Sequence, residues 1–205
     1  MPEINPLTFP LTIHPVTPDR WPDMQKLFGP RGACGGCWCM FWRQTRSEYE
    51  KFKGEPNRLS MQVLIESGEI PGLLAYLSSP MENTPAVPVG WVSVAPRPNF
   101  SALERSRVLK PVDDLPVWSI VCFFVPRKFR RQGITVQLIR AAVHFASSNG
   151  AKIIEGYPVE SRSGSIPDAF AYMGLPSAFE KAGFIEVARR SETRPMMRFF
   201  VGDAQ

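Results

Sequence analysis

The stretch VWSIVCFFVPRKFRRQGIT, residues 117–135, decides how this chain folds. Its first nine residues carry one polar side chain, Ser119. Val117, Val121, Phe123 and Val125 alternate along one face, and Trp118, Ile120, Cys122 and Phe124 along the other. A strand covered on both sides reads as a continuous apolar run, because neither face meets water. A buried helix segment would also be apolar throughout, but this run is short, rich in β-branched residues and stopped by Pro126. The pattern predicts a central strand of an α/β layer.

After Pro126 the composition turns basic, with Arg127, Lys128, Arg130 and Arg131, and then reads Gln132-Gly133-Ile134-Thr135. Ile134, Leu138, Ala142 and Ala146 recur at helical spacing, with Ile139 and Val143 beside them. Gln137, Arg140, His144 and Ser148 take the opposite face, and Asn149-Gly150 ends the pattern. The order is therefore buried strand, basic turn, amphipathic helix. The first amides of a helix have no internal partners, and with the dipole they form a site for an anion. Gly133 would let a diphosphate approach the backbone, and the arginines add forked donors.

Arg130 to Thr135 resembles the R/Q-x-x-G-x-G/A segment of the GCN5-related N-acetyltransferases, and Phe179-Glu180-Lys181-Ala182-Gly183-Phe184 resembles that superfamily's Y-x-K-x-G-F segment. Two departures stand out in the first segment. Thr135 replaces the final Gly or Ala, and the proline follows Val125 directly. The resemblance covers residues 117–184 and implies an α/β (α+β) fold. Its sheet would be mixed and mostly antiparallel, with one parallel βαβ crossover, in a single acetyl-CoA-binding domain over 1–205. It also implies transfer of an acetyl group from acetyl-CoA to a primary amine of a small molecule by direct attack. A catalytically weak or inactive acyl-CoA-binding module is the alternative. In the superfamily, amides at the end of the central strand hold the pantetheine arm and the thioester oxygen, which implies Phe123, Phe124 and Val125. Arg130, Arg131, Gln132, Gly133, Ile134 and Thr135 would hold the pyrophosphate.

Hydrophobic residues make up 44% of the chain, enough for a sizeable core. The 24 Lys and Arg exceed the 19 Asp and Glu by five, and they cluster at 127–131 and 189–198 rather than along a stripe. Nucleic acid is not an expected partner. No apolar run approaches the ~20 residues of a membrane helix, and the first residues lack a signal-peptide pattern. With four cysteines this reads as a cytoplasmic protein that needs no membrane; a homodimer is compatible with the reading.

In chain order, Leu11–Val16 is expected as a first strand, followed by a helix with Thr17 as cap and Pro18 at its first position. Charged residues 43–58 precede a short helix carrying Leu59, Val63 and Leu64 and stopping at Gly68. Gly72–Tyr76 and Val89–Ala95 form a strand pair around a proline-rich hairpin loop. Residues 95–116 are an excursion in which Ser101 and Glu104 have capping-box spacing. Strands follow at 152–157, 184–188 and 196–201, with a polar loop from Glu160 to Asp168 and a short helix at 176–182.

Residues 29–42, GPRGACGGCWCMFW, stand apart. Cys34, Cys37 and Cys39 offer three thiols, and zinc needs a fourth ligand that only Cys122 or His14 could supply. A redox role for the Cys-x-x-Cys pair is a second reading, and an aromatic-rich packed loop with reduced cysteines and no metal is the one favoured. As the wall of an acceptor pocket, the loop would present Trp38 and Trp42, with Trp118 also a substrate contact.

The chemistry needs an amine without its proton, donors for the carbonyl oxygen, and a leaving thiolate. Phe179 stands where many relatives have a tyrosine, and it cannot donate. Tyr172 is the candidate replacement, and a thiol of pKa ~8.5 leaves passably without one. Glu160, nearer the open end of the sheet than Glu155, is the candidate base, although a water chain needs no named base.

Overall fold

The computed structural model describes residues 11–77, 86–160 and 168–202. Its elements are β1 (Leu11–Pro15), α1 (Trp21–Phe28), α2 (Arg46–Phe52), α3 (Glu55–Glu66), β2 (Gly72–Leu77) and β3 (Val87–Pro96). They continue with α4 (Ser101–Glu104), β4 (Trp118–Phe124), α5 (Ile134–Ser148), β5 (Ile153–Gly156), α6 (Pro176–Glu180), β6 (Ile185–Arg189) and β7 (Pro195–Phe200). The tip of the hairpin loop (78–85) and most of the polar loop (161–167) lie outside the described residues.

One sheet runs in the order β1-β2-β3-β4-β5-β7-β6, and only β4 and β5 are parallel. β4 is the middle strand of seven, as its apolar run predicts. α5 packs on one face with Ile134, Leu138, Ile139, Ala142 and Ala146 buried. α1 covers the other face with Trp21, Met24, Leu27 and Phe28.

Strict alternation along β4 does not hold. Ser93 of β3 faces Cys122, whereas Val94 faces Ile120, so Val121 is an extra residue. The bulge resets the alternation. Ile120 and Phe123 pack with α5, while Val121, Cys122 and Phe124 all pack on the α1 side.

Parallel pairing joins Trp118–Ile120 to Ile154–Gly156 and then stops. β4 runs on to Phe124 beside β3 alone. The chain after Gly156 turns away, with the Val159 amide donating to the Gly174 carbonyl and the Glu160 amide to the Thr193 carbonyl, both at 3.0 Å. The two central strands therefore part at the end of β4 that leads into the basic turn.

At their joined end a buried polar cluster holds them. Glu155 accepts from Arg198 Nε at 2.7 Å, from Arg97 Nη1 at 3.3 Å and from the Tyr157 hydroxyl at 2.7 Å. Tyr157 shares a 2.7 Å bond with Ser119 on β4. Arg97 also binds Glu104 and the Leu109 carbonyl, which fastens the 97–117 excursion over the sheet. Such a cluster is tolerable because each buried charge is countered and its donors are used.

Three local expectations are corrected. Thr17 caps nothing: its hydroxyl binds Asp19, Pro18–Arg20 form a 3-10 turn and α1 starts at Trp21. Ser101 does not close a capping box, because its hydroxyl donates to the Arg43 carbonyl and Glu104 pairs with Arg97. The helix near Leu59 is longer and rotated: Asn57, Met61 and Ile65 face inward, Leu64 packs half-buried beside them, and Leu59 and Val63 are exposed. Before it lies α2, which the charged composition of 43–58 concealed. It starts with a complete capping box between Thr45 and Glu48.

Candidate active site

The turn after β4 runs from Pro126 to Gly133. A 3-10 turn at Arg127–Phe129 follows Pro126, and Arg130 Nε donates back to the Val125 carbonyl at 2.9 Å. Gln132 donates to the Lys128 carbonyl at 3.2 Å. Arg131 and Gly133 both have left-handed backbone, with φ of 61° and 78°. For Arg131 that conformation costs roughly 1–3 kcal/mol, which the surrounding turn must offset. Gly133 is the N-cap of α5 and brings no capping side chain. The leading amides of a fifteen-residue helix thus open toward a turn in which Arg127, Lys128 and Arg131 are exposed. The arrangement suits a phosphate.

Other members of the expected cofactor segment play different parts. The Ile134 side chain is 2% exposed and belongs to the core, so only its backbone can meet a ligand. Thr135 is half-buried in the first turn. Phe123 is buried on the α5 side, whereas Phe124 lies edge-on to Phe28, ring centres 5.6 Å apart, on the α1 side. Their backbone belongs to the part of β4 that has left β5.

The position expected for a general acid is filled by an apolar ring. Phe179 is fully buried, edge-on to Phe123 and Phe184. It lies against Gly156: a Cβ there would stand 2.1 Å from Phe179 Cε1. Glycine at 156 is therefore required by close approach, and Phe179 has no proton to give.

Tyr172 lies on the 3-10 turn Asp168–Met173, which packs on β4. It is half-buried, with its ring 6.3 Å from Phe41. Burial first, and then Cys122, push its hydroxyl up to about 12. Phe41 in turn meets Trp42 at 5.0 Å and Tyr49 at 5.1 Å. The cluster joins the 29–45 loop, α2 and the segment after β5. Phe41, 39% exposed, and Tyr49 were not singled out from sequence. The signal available was the aromatic run at 38–42 next to a capped helix.

Of the three tryptophans expected at the acceptor, Trp38 and Trp118 each pack against other aromatic rings. Trp38 is 5% exposed and packs against Trp21 and Phe28, centres 5.8 and 5.5 Å away. Trp118 is at the joined end of β4, edge-on to Phe145 of α5 at 5.9 Å. Glu160 is exposed and ion-paired with Arg189, which also binds Glu186. Its hydrogen bonds to the two carboxylates, Glu186 first, push the Arg189 guanidinium up. Glu155 is fully buried and serves as the counter-ion of two arginines.

All four cysteines are free. Cys39 and Cys122 are buried with their sulfurs 3.1 Å apart, Cys37 donates to the Gly32 carbonyl at 3.5 Å, and Cys34 is exposed. Among the described residues no group of three or more His, Cys, Asp or Glu could hold a metal ion, and no helix is long and apolar enough to cross a membrane.

A family model described as the acetyltransferase (GNAT) family matches residues 38–166. Solved structures of the same fold include a GNAT-family acetyltransferase from Listeria monocytogenes, with TM-score 0.54 and 12% identity over 97% of this chain and 99% of that one. Arabidopsis thaliana NAA60 in complex with acetyl-CoA gives 0.50 and 12% over 94% and 100%. The NatC complex bound to Gag peptide and CoA gives 0.51 and 13% over 94% and 99%. At these identities the likeness is one of fold. No curated protein matches the chain.

Proposed function

Because this chain belongs to the acetyltransferase (GNAT) family, whose model spans residues 38–166, we propose that it transfers an acetyl group from acetyl-CoA to a primary amine of a small molecule. The observation that carries the reading is the parting of β4 from β5 just before a basic turn and the uncapped start of α5. In this reading the pyrophosphate sits on the amides of Gly133 to Thr135, with Arg130, Arg131 and Gln132 around it. The pantetheine arm runs along the backbone of Phe123, Phe124 and Val125. The whole chain acts as one acetyl-CoA-binding domain in the cytoplasm.

The chemistry follows from what these residues can and cannot do. The amine lone pair attacks the thioester carbonyl carbon, a C–N bond forms, and charge gathers on the oxygen. Backbone amides at the end of β4, over Phe123 to Val125, are its donors in this reading, and they need no reorganisation. The C–S bond then breaks and CoA leaves as a thiolate. A donor of pKa about 12 is a poor acid toward a thiol of pKa ~8.5. Tyr172 therefore serves as a hydrogen-bond donor rather than as a full acid. The ammonium proton leaves through water or through Glu160, once Arg189 is displaced from that carboxylate. The aromatic group of Phe41, Trp42, Tyr49 and Tyr172 walls the acceptor side, and a flat or aliphatic amine suits it best.

A second reading, a CoA-binding module without turnover, is favoured by the buried Phe179 ring and the engaged Glu160. A panel of small amines, with acetyl-CoA and free-thiol detection, separates the two. Thiol release that depends on one amine class is expected. Tight CoA binding with no release across the panel would leave the binding module, and absence of CoA binding would remove both.

A further inference from the structure

We propose that Cys39 and Cys122 are a site of reversible oxidation, forming a disulfide that ties the 29–45 loop to the central strand. The two residues are 83 positions apart, yet their Sγ atoms stand 3.1 Å from each other. A further approach of about 1 Å makes the bond. Neither side is free to drift. Cys122 follows the bulge residue in the middle strand, and Cys39 accepts a hydrogen bond from Trp91 Nε1 at 2.9 Å. Both are buried, at 3% and 8% exposure, beneath a loop that touches strand and helix alike.

Acetyl transfer as read above uses neither thiol. The pair also differs from two cysteines that merely fill space. A third thiol, Cys37, lies two residues before Cys39 and is only partly buried, donating to the Gly32 carbonyl at 3.5 Å, so the same loop carries a thiol nearer the surface. Burial first and then Cys122 push the Cys39 thiol up, and Cys39 ahead of burial pushes the Cys37 thiol up, which makes oxidation slow rather than indiscriminate. Slow chemistry at a buried pair favours a small oxidant, and hydrogen peroxide is the class named here. One thiolate attacks peroxide, giving a sulfenic acid and water. The second sulfur then attacks the sulfenic sulfur, forms the S–S bond and releases a second water. Two thiols and one peroxide thus give one disulfide and two waters. An external dithiol reverses the reaction by exchange and is itself oxidised.

The link would close a loop of 83 residues between a wall of the cleft and the strand that forms its floor. It should restrict the unfolded chain strongly. The pair stands on sulfur geometry alone, so the proposal succeeds or fails independently of the acetyltransferase reading.

The test uses the full chain, incubated with hydrogen peroxide and then alkylated in denaturant and mapped by mass spectrometry. Loss of two free thiols, a crosslinked Cys39–Cys122 peptide, and a thermal midpoint raised by about 5–10 °C and restored by dithiothreitol are expected. Cys34→Ser should keep all three responses, and Cys122→Ala should lose them. Should Cys122→Ala fold poorly, the map of the Cys34→Ser protein alone still decides. A Cys34–Cys37 crosslink, four free thiols after long exposure, or oxidation at Cys34 only would overturn the proposal.

Discussion

Replacing Gly133 with valine probes fold and site together. Gly133 caps α5 at φ 78° and ψ 0° and is not inside the helix. Helix propensity, which ranks valine no worse than glycine, is therefore the wrong measure of the cost. A side chain at left-handed φ is strained by roughly 1–2 kcal/mol, and a β-branched one fits there worst. A Cβ at this position meets no atom within 4 Å, so no clash with the protein adds to the strain. Stability should fall by ~1–2 kcal/mol, which for a chain of this size lowers the thermal midpoint by about 2–8 °C. The protein remains folded at room temperature. The same open space in front of the first α5 amides is where the diphosphate is proposed to sit. Valine there should weaken CoA binding tenfold or more, ~1.4 kcal/mol or above. Gly133→Ala carries the strain with less bulk and should fall between wild type and valine. Calorimetric titration of CoA into the three proteins, each shown folded by circular dichroism, gives the series. Unchanged affinity in folded Gly133→Val protein would refute the placement of the anion on α5. Equal loss for alanine and valine would assign the effect to backbone strain instead of to phosphate approach.

Gly156→Ala should cost about 1–3 kcal/mol through overlap with Phe179, and Phe179→Leu in the same chain should recover at least ~1 kcal/mol of it. Urea unfolding of the cycle measures this, and effects additive within ~0.5 kcal/mol would mean that the contact is not the cause. Tyr172→Phe should lower kcat less than tenfold, because passing a proton from a group at about 12 to a thiolate near 8.5 is uphill by ~5 kcal/mol. A hundredfold loss would make Tyr172 the acid after all. Asp113 is held below the ordinary aspartate value of 3.8, first by its hydrogen bond from Arg198. A depressed carboxylate pKa contributes stability that is complete above the unfolded value and lost as pH falls through the folded one. Thermal midpoints of wild type and Asp113→Asn should therefore differ near neutrality and converge below pH 3.8. A constant offset down the whole acid range would contradict that role.

The middle of this protein follows from its local patterns alone. Nine residues before Pro126, all apolar but Ser119, could satisfy themselves only between two layers, and the 3.6-residue spacing from Ile134 to Ala146 could form only one buried helix face. Strand, turn and helix are short-range patterns, so the position of Gly133 and the basic turn was legible without coordinates. A short-range signal was also present at Thr45 and Glu48, where a capping box stands inside a charged stretch. What the tertiary structure decided is what depends on distant partners. The extra residue at Val121 exists only relative to β3, and it put Val121 on the face of Cys122 and Phe124 and Ile120 on the face of Phe123. Glu155 became a counter-ion because Arg97 and Arg198, 58 and 43 residues away, reach it inside the fold. The surroundings of Trp38 and Trp118 were not legible locally, because an aromatic ring reads alike whether it lines a cleft or fills a core. Only the neighbours that packing supplies, Trp21 and Phe28 for one and Phe145 for the other, fix where the two rings lie. Cys39 and Cys122 met for the same reason: loop and strand are joined by burial of their common apolar surface, which no local spacing encodes.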